Sequence, residues 1–136
     1  MATESVNTIR PLSADECWQR LAQHPTRVGH VGIGGPAPDI VPVNYAVDGR
    51  SIVFRTAEGK KLTAIGRLER IVFQVDDVDA TWRWAWSVVL RGFAEHVTAA
   101  DEVAKLKELP LRPWDPTPKP EYVRITTNQV AGREIT

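Results

Sequence analysis

A mainly β fold, a six-stranded antiparallel barrel with short helices at its periphery, is the class this chain predicts, on three observations. Six runs rich in β-branched and aromatic residues alternate with a period of two, and each is bounded by Gly, Pro, Asn or Asp. Asp48-Gly49 sits between two of these runs, a strong signal for a tight hairpin because glycine accepts the positive φ that the turn demands. The 136 residues fit one domain, and so many short strands in so small a domain protect their edges best by closing on one another.

Along the chain, Leu12-Ser13-Ala14-Asp15-Glu16-Cys17 reads as a helix start, with Ser13 as N-cap, Glu16 completing a capping box and Leu12 packing onto Cys17. The helix runs to about Gln23, and Cys17, Trp18, Leu21 and Ala22 share its apolar face, which makes Cys17 a packing residue. Val28–Ile33 is the first strand, and the turn cluster Gly34–Asp39 leads into a second, Ile40–Val47. Pro42 lies inside that strand and cannot donate to a ladder, so an open edge or a bulge is expected there. Ser51–Thr56 returns after the hairpin. Lys60–Leu68 has helical spacing weakened by Gly66. Ile71–Val78 and Trp84–Thr98 are two more strands, the second bent at Gly92. Thr98–Asp101 resembles a second capping box, opening a helix to about Leu109. Five prolines between Pro110 and Pro120 impose a loop, and Tyr122–Thr126 is the last strand. Trp82, Trp84 and Trp86 alternate, placing three indoles on one strand face that serves as core or subunit interface.

Several function classes are excluded at this level. Lys+Arg and Asp+Glu both total 17, so no overall basic field exists to hold nucleic acid or an acidic membrane. The single cysteine rules out an internal disulfide and a cysteine-rich metal site. The first ten residues lack a signal-peptide apolar run, and no stretch reaches the ~20 apolar residues of a membrane span, so a cytoplasmic protein is expected. His24, His30 and His96 have no partners at metal-ligand spacing, and Asp76, Asp77 and Asp79 read as a solvated turn.

The chemistry centres on Ser51 to Leu62. Lys60 and Lys61 open a helix, where the backbone dipole opposes cations. A bound phosphate would reconcile them, since both ammonium groups, the helix amides and the Thr56 hydroxyl would converge on one dianion. A solvated lysine pair is the alternative reading of the same residues. No Walker loop and no G-x-S-x-G elbow is present.

Taken in order, Gly29-His30-Val31-Gly32-Ile33, Pro38–Tyr45, Val53–Leu62, Trp86–Gly92 and Tyr122–Ile125 resemble the pyridoxamine 5′-phosphate oxidase-like flavoproteins, in an actinobacterial-type branch, over about residues 13 to 135. The resemblance implies a split β-barrel holding FMN between the subunits of a homodimer. It assigns the FMN phosphate to Thr56, Lys60 and Lys61, with Lys61 foremost because threonine often stands at the Lys60 position. It places Val43, Asn44 and Tyr45 along the isoalloxazine ring, with main-chain amides at the ring's polar edge, and brings Trp86, Ser87 and Val88 from across the dimer interface. Only Arg124 and Arg133 remain of the arginine-rich set that vitamin B6 oxidases carry, which points away from that substrate. The function implied is a flavin-dependent oxidoreductase passing electrons from a small-molecule donor, such as a reduced nicotinamide, to a small planar acceptor. A deazaflavin in the same fold and a non-catalytic flavin store are the alternatives.

Overall fold

The computed structural model describes residues 7–24, 26–34, 36–57, 70–112 and 117–136. The helix expected over Lys60–Leu68 lies outside them. The described residues hold seven strands: β1 (Ile9–Leu12), β2 (Val28–Ile33), β3 (Asp39–Asp48), β4 (Ser51–Thr56), β5 (Arg70–Val78), β6 (Ala85–Val97) and β7 (Glu121–Ile135). Among the described residues two helices accompany them, α1 (Ala14–Gln23) and α2 (Ala100–Leu106). The strands β2 to β7 follow the order β7-β4-β3-β2-β5-β6, and pairing of β6 with β7 closes the barrel, every contact antiparallel.

The α1 start forms as its residues dictate: Glu16 N–H donates to Ser13 Oγ at 3.1 Å, and Ser13 N–H donates to Glu16 Oε1 at 3.0 Å. Cys17, Trp18 and Leu21 are buried with Leu12 in the barrel core. Hairpin β3–β4 closes through Gly49 at φ 60°, the left-handed value that glycine tolerates without cost. Inside the barrel, alternate residues of each strand meet: Val31, Tyr45, Phe54, Phe73, Val88, Leu90 and Ile125 are among its most buried residues. Each large side chain so buried contributes about 1.5–3 kcal/mol. A second, smaller cluster lies outside the barrel wall, where α2 brings Leu106 and Val103 onto Val53, Val97 and Tyr122. Both faces of β4 are therefore covered, and Ser51, Ile52, Val53, Phe54 and Thr56 are all buried.

Four sequence expectations give way. β7 runs to Ile135 instead of ending at Thr126, because β6 supplies a partner for almost its whole length, from Val97↔Tyr122 to Ala85↔Ile135. That long template recruits β1, a four-residue strand with no alternating pattern of its own, through Ile9↔Ile135 to Leu12↔Gly132. α2 has Ala99 as N-cap with no side-chain cap, not Thr98, and its regular turns end at Leu106. The three indoles do not share a strand face: β6 begins at Ala85, and Trp82 lies in the preceding turn at φ 60° and 80% exposed. That turn is held by Asp79, whose carboxylate accepts from the Arg83 and Trp84 amides and the Thr81 hydroxyl. The bend expected at Gly92 is present as a register shift between Arg91 and Gly92.

Candidate functional site

The β3–β4 ladder starts at Asp48↔Ser51 beside the turn and stops at Tyr45↔Phe54. Beyond that pair the strands take different partners. β4 continues along β7 through Arg55↔Tyr122 and Thr56↔Glu121, while β3 continues along β2 as far as Ile33↔Asp39. The barrel is thus split, with Val43 and Asn44 on one lip and Arg55 and Thr56 on the other. Counted from the two-residue turn, the even-numbered residues of β3 direct their main-chain groups toward β4. Pro42 falls on that side, past the end of the ladder, so its missing N–H costs no ladder bond. This is the open edge its presence in the strand implied.

Val43 and Tyr45 point into the core at 7% and 1% exposure. The Tyr45 hydroxyl donates to the Leu21 carbonyl at 2.7 Å, and burial pushes its pKa up, so it stays a neutral donor fixing α1 to the barrel. By the same alternation the main-chain groups of Val43 and Tyr45 turn toward β2, where the Tyr45 amide donates to the Arg27 carbonyl at 3.0 Å, so the main chain that faces the split is that of Asn44. Asn44 faces outward, on the rim of a concavity of about 300 Å³ lined by Thr26, Arg27, Asn44, Tyr45, Pro110 and Arg112. Thr56 is buried at the end of β4, its hydroxyl turned to the Ala57 carbonyl at 3.3 Å. Arg55 is occupied, donating to the Lys119 carbonyl at 2.8 Å and stacking on Tyr122. Lys60 and Lys61 lie outside the described residues.

The remaining expected residues sit elsewhere on the barrel. Trp86 and Val88 point into the core, Trp86 meeting the His24 ring edge-on at 5.6 Å, while Ser87 faces out half-buried. β6 is separated from β3 by β2 and β5, so within one chain Trp86, Ser87 and Val88 do not line the split. Arg124 is held by Asp48 at 3.0 Å and by the Ser51 hydroxyl, a structural clamp on the hairpin base. His96 pairs with Glu121 at 2.7 Å across β6 and β7, but no group of three metal-ligating side chains exists among the described residues. No helix among them is long and apolar enough to cross a membrane. That Arg27 and Arg112 share one concavity is not legible in the sequence, because each stands in a loop with no periodic pattern to place it.

A sequence profile of the pyridoxamine 5′-phosphate oxidase family matches residues 13–134. The chain belongs to that family. A Corynebacterium glutamicum structure assigned to the same oxidase class is 38% identical, with 94% of each chain covered and a TM-score of 0.80. The FAD-binding protein of Mycobacterium smegmatis is 32% identical over 91% of this chain and 96% of its own, with a TM-score of 0.74. The uncharacterized protein Rv0080 of Mycobacterium tuberculosis is 31% identical over 97% of this chain and 89% of its length. The split described above is therefore a feature of a pyridoxamine 5′-phosphate oxidase-family barrel, and the match begins at Ser13, the N-cap of α1, and spans the whole barrel from β2 onward.

Proposed function

We propose that this protein binds FMN at the split between β3 and β4 and acts as a flavin-dependent oxidoreductase on a small planar acceptor. The observation that carries the reading is the end of the β3–β4 ladder at Tyr45↔Phe54, which opens the barrel wall where β4 delivers the chain to Lys60 and Lys61. Where the strands part, the Asn44 main chain faces the split and would meet the polar edge of a planar ring, with Val43 and Tyr45 anchoring β3 from the core side. Thr56 and the two lysines that follow in the chain would supply a hydroxyl and two cations for its phosphate, which matches the charge of the group. A 32% identical relative is an FAD-binding protein, and FAD shares this phosphate-bearing stem.

The flavin would supply the redox chemistry, and this chain's residues would bind, orient and shield it. No side-chain nucleophile is needed. The distance in the sheet order between β3 and β6 supports a homodimer, in which the outward-facing Ser87 of a second copy completes the site that one chain leaves open, while Trp86 and Val88 anchor β6 from the core side.

Lys61→Ala tests the reading. A charge-assisted contact to a partly buried phosphate contributes about 1.5–3 kcal/mol, so FMN affinity should fall roughly ten- to a hundredfold. Lys60→Ala should fall less. Titration of FMN into stripped wild type and both variants, with unfolding of each apo form as the fold control, measures this. Equal affinities in all three would remove the phosphate from this loop.

A further inference from the structure

The concavity beside Asn44 is built by three segments that are distant in sequence: the entry to β2, the middle of β3 and the exit of α2. Two of its six lining residues are arginines, Arg27 and Arg112, and no carboxylate lines it. Among the described residues, neither guanidinium has an ion pair with an acidic side chain. Arg10, Arg20, Arg50 and Arg124, by contrast, each sit against a carboxylate.

The backbone that carries these arginines is fixed. Arg27 holds a φ of 49°, which a side-chain-bearing residue adopts only when its surroundings impose it. Its N–H donates to His24 Nδ1 at 3.1 Å and its carbonyl accepts from the Tyr45 amide at 3.0 Å, so both sides of the strained residue are tied. His24 is itself buried at 7% exposure against Trp86. On the opposite wall, Leu109 and Leu111 pack on the outer cluster around Val53, and the Leu111 amide donates to the Leu109 carbonyl at 2.8 Å. This sets the chain direction at Pro110 and Arg112. Strain held in place by neighbours, next to an opening in the barrel, is where a binding function is expected.

We propose that Arg27 and Arg112 form an anion-binding subsite on the outer face of β3, taking a phosphate or carboxylate group. The guanidinium fork suits such planar or tetrahedral oxyanions, and two forks across about 300 Å³ leave room for one anionic group and its attached carbon skeleton. The subsite adjoins the split, so it deepens the flavin reading and rests on it only for the source of the anion. That source is either the coenzyme's own phosphate, a diphosphate where the coenzyme is FAD, or a separate acidic substrate.

Thermal unfolding in rising inorganic phosphate, against chloride at matched ionic strength, tests the site without any flavin. Wild type should be stabilised with saturation, and Arg112→Gln and Arg27→Gly should each weaken the apparent phosphate affinity tenfold or more. Arg27→Gly removes the charge while easing the left-handed φ, so a fold defect does not mask the result. Arg50→Gln, an exposed arginine paired with Asp15 on the helix, serves as the charge control and should leave phosphate affinity unchanged. Unchanged phosphate affinity in both pocket variants, or an equal loss in Arg50→Gln, overturns the proposal. Titration of riboflavin, FMN and FAD then separates the sources. A loss in Arg112→Gln for FAD but not riboflavin assigns the subsite to the coenzyme, and a loss for phosphate alone assigns it to a substrate. If wild type binds no flavin, the flavin reading fails while the phosphate arm still decides the subsite.

Discussion

Glu134 on β7 accepts from Trp84 Nε1 at 2.9 Å, from Arg20 of α1 at 2.6 Å and from Arg10 of β1 at 2.9 Å, so one carboxylate joins four parts of the chain. Its side chain is 14% exposed, which keeps solvent from screening these contacts fully. The Trp84 indole first, then the Arg10 hydrogen bond and the two arginine charges, hold its pKa below the ordinary carboxylate range. Glu134→Gln keeps an acceptor for Trp84 but removes the charge that both arginines face, and should cost about 1–3 kcal/mol at neutral pH. Because the folded-state pKa is depressed, this stabilisation is present above the ordinary carboxylate value and is lost as pH falls through the lowered one. Urea unfolding of wild type and variant should therefore show a gap that narrows on acidification from pH 7 toward pH 3. A gap that stays constant would mean that the charge of Glu134 is not what matters. None of this was readable from the sequence, since Arg10, Arg20, Trp84 and Glu134 have no spacing relation until the strands pair.

Elements formed by local signals came out as their residues require. The capping box at Ser13 and Glu16, the Gly49 turn and the alternation over Val28–Ile33 and Ser51–Thr56 are complete within a few residues of chain, and each is found at its expected place. The bend in β6 belongs here too. A Cβ at Gly92 would lie 2.0 Å from the Thr126 carbonyl oxygen, a main-chain atom that cannot step aside without breaking the β6–β7 ladder. Gly92→Ala is expected to cost more than about 3 kcal/mol, above the usual range for a point change, and to lower expression of folded protein. A denaturation midpoint within error of wild type would show that the bulge relaxes freely. Elements that depend on a distant partner were missed or truncated. Asn128, Gln129 and Gly132 carry little strand propensity, and the end of β7 is held extended by pairing with β6 on one edge and β1 on the other.

For the whole molecule, the two halves of the proposed site lie apart on one barrel, and a second copy is the simplest way to join them. The outer wall offers a surface for that copy. Val72 and Phe93 are 40% and 46% exposed, and Ile40 at 76% shares a row with Gly32 and Val72 across three strands. Isolated exposed apolar residues are ordinary, but a row of them on one sheet face favours association. Sedimentation at micromolar concentration should give a dimer in the presence of flavin. A monomer under those conditions would leave Ser87 without a role in the site, and the FMN reading would have to be carried by one chain.

Local chemistry in the sequence determined the class of fold, the register of the first hairpin, the cap of α1, the bend at Gly92 and the family resemblance, which the profile match over residues 13–134 bears out. These depend on period, turn geometry and residue type, and such terms act within about ten residues of chain. Tertiary structure alone decided where the barrel splits, that β1 and the end of β7 exist, that Trp82 leaves the strand face, and that Arg27 and Arg112 share a concavity. Each of those arises from pairing or packing between residues far apart in sequence, where the free energy belongs to the partner surface and leaves no periodic trace in the segment itself.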